Sequence, residues 1–287
     1  MSTLSRTKPM VGALRFGISY FFLVAVSFVF LTPLLWMISS SLQSLEGVFR
    51  VPFHWIPENL QWQNYRDAMT LIPFARYVLN TTVISIAIIA GGVFSSTLVA
   101  YGFSRFRFRG RDKLFGLCIA TMMLPGQVTM IPLYVLFARL GWIDTYLPLI
   151  VPALFGSPFY IFLLRQFFLS IPYEYDEAAL LDGASRFRIY WQIILPLARP
   201  AIATVVVFSF MGAWNDFFNP LIYINSFEKA TLTLGLNSLK AQIIGAGQTQ
   251  WHVLMAASVL VLIPNVLVFF LAQRQFIKGI NVGGLRG

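Results

Sequence analysis

The stretch from Glu177 to Pro196, EAALLDGASRFRIYWQIILP, sets charge into a strongly apolar neighbourhood. Its residue types suit docking rather than bond-making. Glu174, Asp176 and Glu177 place carboxylates where the positive end of a helix dipole favours them. Ala178 and Ala179 keep that helix slim, so another surface can approach its backbone closely. Pro172 is expected at the first helical position, where its missing N–H costs nothing. Gly183 suits a left-handed residue just past the helix end, and Ser185 can cap a second helix. Pro196 marks where that second segment stops or bends. The sequence thus predicts a helix, a turn and a second helix.

A second polar group, Trp214-Asn215-Asp216-Phe217-Phe218-Asn219-Pro220-Leu221, follows another apolar run. Trp214, Phe217 and Phe218 suit stacking on a sugar face, while Asn215, Asp216 and Asn219 suit bonding to hydroxyls. Aromatic residues at such a depth also serve as interfacial anchors. Gln127 and Thr129, beside Pro125-Gly126, are candidates for lining a path or for packing. Bond-making chemistry has no such support. His54 and His252 are isolated, no Cys/His/acid cluster has metal-ligand spacing, and no nucleophile–base pairing can be argued. No G-x-x-x-x-G-K-[ST] loop is present, so the chain has no recognisable means of binding ATP itself. Cys118 is the single cysteine and cannot form an internal disulfide. The chain reads as no enzyme in itself, with no metal or cofactor of its own.

The elements that position these groups are apolar runs. Of 287 residues, 57% are hydrophobic and 11% charged, and a soluble domain carries about twice that charged fraction. The formal charge of +10 invites a nucleic-acid reading. The basic residues, however, fall in short loops between apolar runs, which favours a membrane. The uncharged run Phe16–Leu45 is too long for a signal peptide, and residues 14–39 read as a first span. Residues 40–77 read as an ordered external loop with a short helix within WIPENLQWQNYRDAM. Val78–Ser104 follows, with Gly91-Gly92 either packing closely against another helix or loosening its own. Leu114–Ala138 is expected to break at Pro125-Gly126 and again at Pro132, which lipid tolerates only where protein or water supplies hydrogen bonds. Thr145–Leu164 carries Pro148, Pro152 and Pro158 and is closed by Arg165. The next run starts at Pro200, placing Asp216 about 24 Å along it, near the outer boundary of the hydrocarbon. Val253–Gln273 contains Pro264 and Asn265.

Six spans put both termini on one side. If that side is cytoplasmic, only Arg50, Arg66, Arg76, Arg139, Lys229 and Lys240 of the 21 basic residues fall outside, which is the orientation the positive-inside rule selects. It also places the Glu177 loop in the cytoplasm.

Glu-Ala-Ala, three residues, Gly, nine residues, Ile, one residue and Leu-Pro resembles the EAA loop of the membrane subunits of ABC importers. Here it reads Glu177-Ala178-Ala179, Gly183, Ile193, Leu195 and Pro196. The segment MLPGQVTMIPLYVLFARLGWIDT and the tail QRQFIKGINVGGLRG resemble carbohydrate importer subunits, and the likeness extends over nearly the whole chain. It is nearest the maltose-transporter type with six spans. The resemblance implies an all-α integral membrane protein with the type I importer permease fold and a coupling helix that docks on an ATPase. It implies as partners a second, different permease subunit, two ATPase subunits carrying ATP and Mg, an external or periplasmic solute-binding protein, a sugar-class solute and the lipid bilayer, with no nucleic acid. The expected place is the bacterial inner (plasma) membrane, multi-pass, with both termini cytoplasmic. The expected division is a cytoplasmic tail over 1–13 and a first span over 14–39 that wraps the partner. An external loop over 40–77 follows, then a five-span core over 78–275 containing the coupling loop 170–199, and a cytoplasmic tail over 276–287. An amphipathic helix lying on the membrane is the alternative reading of the loop. A secondary transporter or channel working without ATP is the alternative for the whole chain, although such transporters usually keep ionisable residues within the membrane.

Overall fold

The computed structural model describes residues 8–245 and 250–283; Arg6, Arg286 and the outer parts of both tails lie outside the described residues. The order of the longer elements is α1 (Lys8–Ser41), α2 (Gln63–Thr70), α3 (Phe74–Arg105), α4 (Arg111–Ala120), α5 (Gly126–Arg139), α6 (Pro158–Ser170), α7 (Glu174–Leu181), α8 (Arg199–Trp214), α9 (Phe218–Tyr223), α10 (Leu232–Gly245) and α11 (Trp251–Gly283). No strand occurs among the described residues. Four helical segments are long and apolar enough to cross a membrane, or six if each of two bent helix pairs is one span.

The chain forms two compact units, Met1–Ile72 with Leu239–Leu260, and Pro73–Ser238 with Val261–Gly287. In the first unit, the apolar side chains of α1 from Phe16 to Phe30 stay open, while Ser39, Ser40 and Ser41 at its end are buried. The loop that follows is ordered because its backbone polar groups find partners. The Asn64 amide donates to the Ser41 and Gln43 carbonyls at 2.9 and 2.8 Å, and the Gln43 amide donates to the His54 carbonyl at 2.7 Å. The short helix expected in this loop is α2.

In the second unit, α3 is the axis. It runs 32 residues without a break, about 48 Å at the usual rise. Gly91-Gly92 does not loosen it. A side chain at Gly91 would lie 2.0 Å from Leu154 Cδ2, and one at Gly92 would lie 3.4 Å from the Ala153 carbonyl oxygen. The glycines therefore admit the tight 3-10 turn Val151–Phe155 against α3, the closer approach that small residues give helices in lipid. Against the other end of α3 lies a core in which Leu164, Phe168, Ile189, Ile194, Ala198 and Val205 are fully buried.

Three sequence expectations need correction. The run from Leu114 breaks once, at Leu124-Pro125, because a residue before proline is pushed to extended backbone; Leu124 has ψ 115° and the flanking helices meet at 95°. Pro132 lies inside α5 without breaking it, since one missing N–H leaves the neighbouring turns intact. Arg165 does not close its run but lies within α6, with its guanidinium 4.1 Å from the Phe115 ring and Nε donating to the Phe103 carbonyl at 3.3 Å. Pro172 precedes α7 rather than opening it, because the first carbonyl to accept helical bonds is that of Tyr173. The segment Arg186–Leu197 meets α8 at 79°. With 16 residues, α8 spans about 24 Å, less than the roughly 30 Å of hydrocarbon.

Candidate functional site

The loop around α7 is built from its two turn residues outward. The Ala184 N–H reaches the Ala179 carbonyl at 2.9 Å and the Gly183 N–H reaches the Leu180 carbonyl at 3.0 Å, with Gly183 at φ 78°. These are the paired bonds of a Schellman turn, which needs a left-handed residue at the glycine. The Ser185 hydroxyl then accepts the Arg188 N–H at 3.3 Å and caps the next turn. From Tyr190 to Ile194 the backbone widens to a π-helix, and the Leu195 N–H bonds to the Tyr190 carbonyl. Pro196 follows immediately and has no N–H to continue the ladder, so register is lost there.

This backbone sorts the motif residues by face. Ala179 is buried, and Ile193 and Leu195 are half-buried against the core. Glu177, Ala178, Gly183 and Pro196 face outward, and Leu181 is 89% exposed. A groove of about 460 Å³ lies between the two arms, lined by Glu174, Tyr175, Ala178, Ala179, Asp182 and Ile193. The arrangement offers a carboxylate, an apolar knob and a shallow groove to another macromolecule. It offers no group positioned for covalent chemistry.

The second polar group is tied up internally. Trp214 is 4% exposed, its indole N–H donates to the Val261 carbonyl at 3.1 Å, and its ring stacks on Phe210. Its expected role in lining the path meets a buried ring, which backs the cluster from within the chain. Asn215 and Asn265 exchange amide hydrogen bonds of 3.1 and 3.0 Å. The Asp216 carboxylate accepts the Asn219 N–H at 3.2 Å and the Asn219 amide at 2.9 Å, holding the start of α9. Asp216 and Asn219 are thus brought together, while the adjacent Asn215 turns to Asn265. Gln127 is not among them: it is exposed in the first turn of α5.

Two clusters escaped the sequence reading. Asp144, a non-glycine residue at φ 60°, accepts the Asn225 N–H at 3.0 Å, the Ser226 N–H at 2.8 Å, the Ser226 hydroxyl and the Lys229 ammonium at 3.0 Å. The Ser226 hydroxyl above all, with the Ser226 N–H and Lys229, holds the carboxyl far below the ordinary carboxylate range. Asp176, by contrast, is fully buried. Burial pushes its carboxyl above that range against the opposing pull of Arg105 and Arg186. The one signal in the sequence was the four-residue spacing of Thr97, Tyr101 and Arg105, all of which meet this loop.

A helical chain with up to six apolar spans, carrying an outward-facing loop with a groove, has the make-up of a multi-pass membrane subunit. The family described as "Binding-protein-dependent transport system inner membrane component" matches residues 91–282, and the chain belongs to it. Over 290 aligned positions it is 34% identical to the probable ABC transporter permease protein YurM of Bacillus subtilis (strain 168), covering 98% of this chain and 91% of that one. It is 36% identical over 241 positions to the sn-glycerol-3-phosphate transport system permease protein UgpE of Pectobacterium atrosepticum, covering 82% and 85%. The fold matches a crystal structure of a bacterial ABC transporter involved in the import of the acidic polysaccharide alginate, with TM-score 0.80 at 23% identity over 96% of this chain and 100% of that one. The chain is a transport component, and ATP hydrolysis belongs to a partner.

Proposed function

We propose that this chain is the permease subunit through which an ATP-driven importer passes a sugar or related polar solute, with residues 170–199 as the coupling element on the cytoplasmic side. The observation that carries this reading is the Glu177–Pro196 loop: its Schellman turn at Gly183, outward Glu177 and adjoining groove form a docking surface on a membrane chain without a nucleotide-binding loop. ATP and Mg²⁺ act on the partner ATPase subunits. A second permease subunit completes the path, and a solute-binding protein delivers the cargo from outside. That relatives are named for the transport of sn-glycerol-3-phosphate and of arabinooligosaccharides supports a polyhydroxylated solute. The open apolar surface of α1 supports a first span that packs on lipid or on the second permease. The distribution of basic residues supports both termini on the cytoplasmic side of the inner membrane.

The direct test is uptake into vesicles containing both permeases and the ATPase, with the binding protein added. Uptake is expected only with ATP and loaded binding protein. Uptake driven by an ion gradient without ATP would establish a secondary transporter instead. Sidedness has its own measurement. A cysteine at Asn59, which is exposed, is expected to react with an impermeant reagent in intact cells. One at Arg109, also exposed, is expected to react only after the cytoplasmic face is opened, and the reverse pattern sinks the coupling assignment.

Asn215, Asp216 and Asn219 are proposed to line the path where Trp214 backs them; Gln127 is a separate lining candidate at the start of α5. Asn219→Ala and Asp216→Ala should each leave the complex assembled and weaken apparent solute affinity by up to about tenfold, the effect of losing one hydrogen bond to the solute. Kinetics equal to the parent in both would reduce the cluster to an anchor for α9.

A further inference from the structure

Thr97, Tyr101 and Arg105 recur every fourth residue of α3, so they stand one above another on a single helix face. Each meets a different part of the loop that carries the docking surface. The Thr97 and Tyr190 hydroxyls lie 2.8 Å apart, the Tyr101 hydroxyl donates to the Arg186 carbonyl at 3.0 Å, and Arg105 Nε lies 3.5 Å from Asp176 Oδ2. Arg105 is itself gripped from other directions: its Nη2 donates to the Ile171 carbonyl at 3.0 Å, its carbonyl accepts the Tyr173 hydroxyl at 3.1 Å, and its guanidinium lies 5.3 Å from the Tyr173 ring. At the opposite end of α3, the Asn80 amide donates to the Glu228 and Ala230 carbonyls at 3.0 and 2.9 Å, and the Thr81 hydroxyl accepts the Leu232 N–H at 2.8 Å. That is the segment Asp144 holds in place. One unbroken helix therefore bonds to the coupling loop at one end and to the 224–232 loop at the other.

We propose that α3 is the rod that carries movement between these two loops, and that Arg105 is the positioning residue through which the coupling helix α7 acts on it; this rests on the coupling role proposed above. The pair is an ion pair that stands short of full hydrogen bonding. The Arg105 and Asp176 side chains are 2% and 0% exposed, yet Arg105 Nε and both Asp176 carboxylate oxygens have no hydrogen-bond partner. A buried carboxylate without a donor is costly, and the guanidinium that can satisfy it stands just beyond bonding distance. A small shift of α7 toward Arg105 converts the slack pair into charge-assisted hydrogen bonds. A shift away leaves both charges buried and unpaired. Displacement of α7 thus changes the energy of one end of α3, which is what a two-state coupling element requires.

The experiment uses the complete complex in vesicles, with solute taken up per ATP hydrolysed as the readout alongside recovery of assembled complex. Asp176→Asn keeps the shape of the side chain, Arg105→Gln shortens it while keeping an amide donor, and both remove charge. Each is expected to lower that ratio at least about fivefold, the lower end of measured coupling between sites. The double variant should be no worse than the poorer single one, as residues acting through one contact behave. A parental ratio in both single variants, or losses that multiply in the double, overturns the proposal. If the charge variants do not assemble, Tyr190→Phe, which removes only the hydroxyl that meets Thr97, must lower the ratio; an unchanged ratio there also overturns it. A parent complex without ATP-driven uptake would instead bring down the permease assignment, so the two failures are distinct.

Discussion

Replacing Gly183 by valine is expected to abolish solute uptake while the chain still inserts and assembles. Gly183 sits at φ 78° with nothing within 4 Å of where a side chain would start, so the substitution meets no neighbour and its whole effect is on the backbone. An L-residue in the left-handed region costs about 1–2 kcal/mol, and a β-branched one more, because its second branch crowds the adjoining carbonyl. The chain can escape only by abandoning the Schellman bonds from Gly183 and Ala184. Each such bond contributes about 1 kcal/mol. Escape re-aims the residues just past the turn, including the Ser185 cap, while the core of buried residues from Ile189 onward holds the second arm in place. ATP hydrolysis should then stop responding to loaded binding protein. Gly183→Asn, which tolerates this backbone region better, should retain most uptake, and Glu177→Ala should impair coupling more mildly, since it removes a charge without changing the fold. Solute-stimulated ATPase activity and uptake measured in parallel decide the matter. Normal values for Gly183→Val would remove the loop from the coupling mechanism.

Loss of the Asp144 carboxylate is expected to release the 224–232 loop and cut uptake by about tenfold or more. Asp144→Ala leaves the Asn225 and Ser226 N–H groups without their acceptor and Lys229 without its counter-charge. It also keeps the φ of 60° that alanine adopts poorly. Asp144→Asn should be milder, since an amide oxygen still accepts but carries no charge for Lys229. Protease nicking of residues 224–232, added to the external face of vesicles, provides the readout; a loop as resistant as the parent's would contradict this role. The pH dependence has a definite sign. The folded-state pKa is depressed, so the clamp's stabilisation is fully present above the ordinary carboxylate value of about 4 and is lost as pH falls through the lower folded value. Acidification from neutral to about pH 5 should therefore leave nicking unchanged, with release confined to stronger acid.

The sequence displayed what is local and concealed what is distant. The turn at Gly183 and the cap at Ser185 depend on residues within a few positions, and both appear where the residue types place them. Pro172 misled because proline is acceptable at a helix start without determining it; the Tyr173 carbonyl does so. The apolar runs exposed the spans, yet Pro132 and Arg165 show that punctuation inside a run is not a boundary when side chains and neighbouring turns absorb it. Arg105 reads in sequence as the first of a row of loop cations. Its burial comes from Asp176, 71 positions later, and local pattern carries no trace of that meeting beyond the four-residue spacing on α3. Asp144 was hidden for the same reason, since Ser226 and Lys229 come from a distant loop. Trp214 was legible as an aromatic beside polar groups, but the side to which its ring turned was not.

The amide pair of Asn215 and Asn265 has a consequence for when the helices that bear it can separate. Each side chain gives one donor and one acceptor to the other, and neither carries charge. Parting them leaves two donors and two acceptors that need new partners, and the pair is exposed, so an arriving molecule can reach it. A pair of hydroxyls brings matching capacity. A polyhydroxylated molecule arriving between the helices can therefore take over both halves of the bond by exchange, with no net loss of hydrogen bonding and no proton or ion required. An apolar visitor or an empty crevice offers no such exchange. Under the path role proposed for this cluster, the cargo's own hydroxyls would be the key to that fastening.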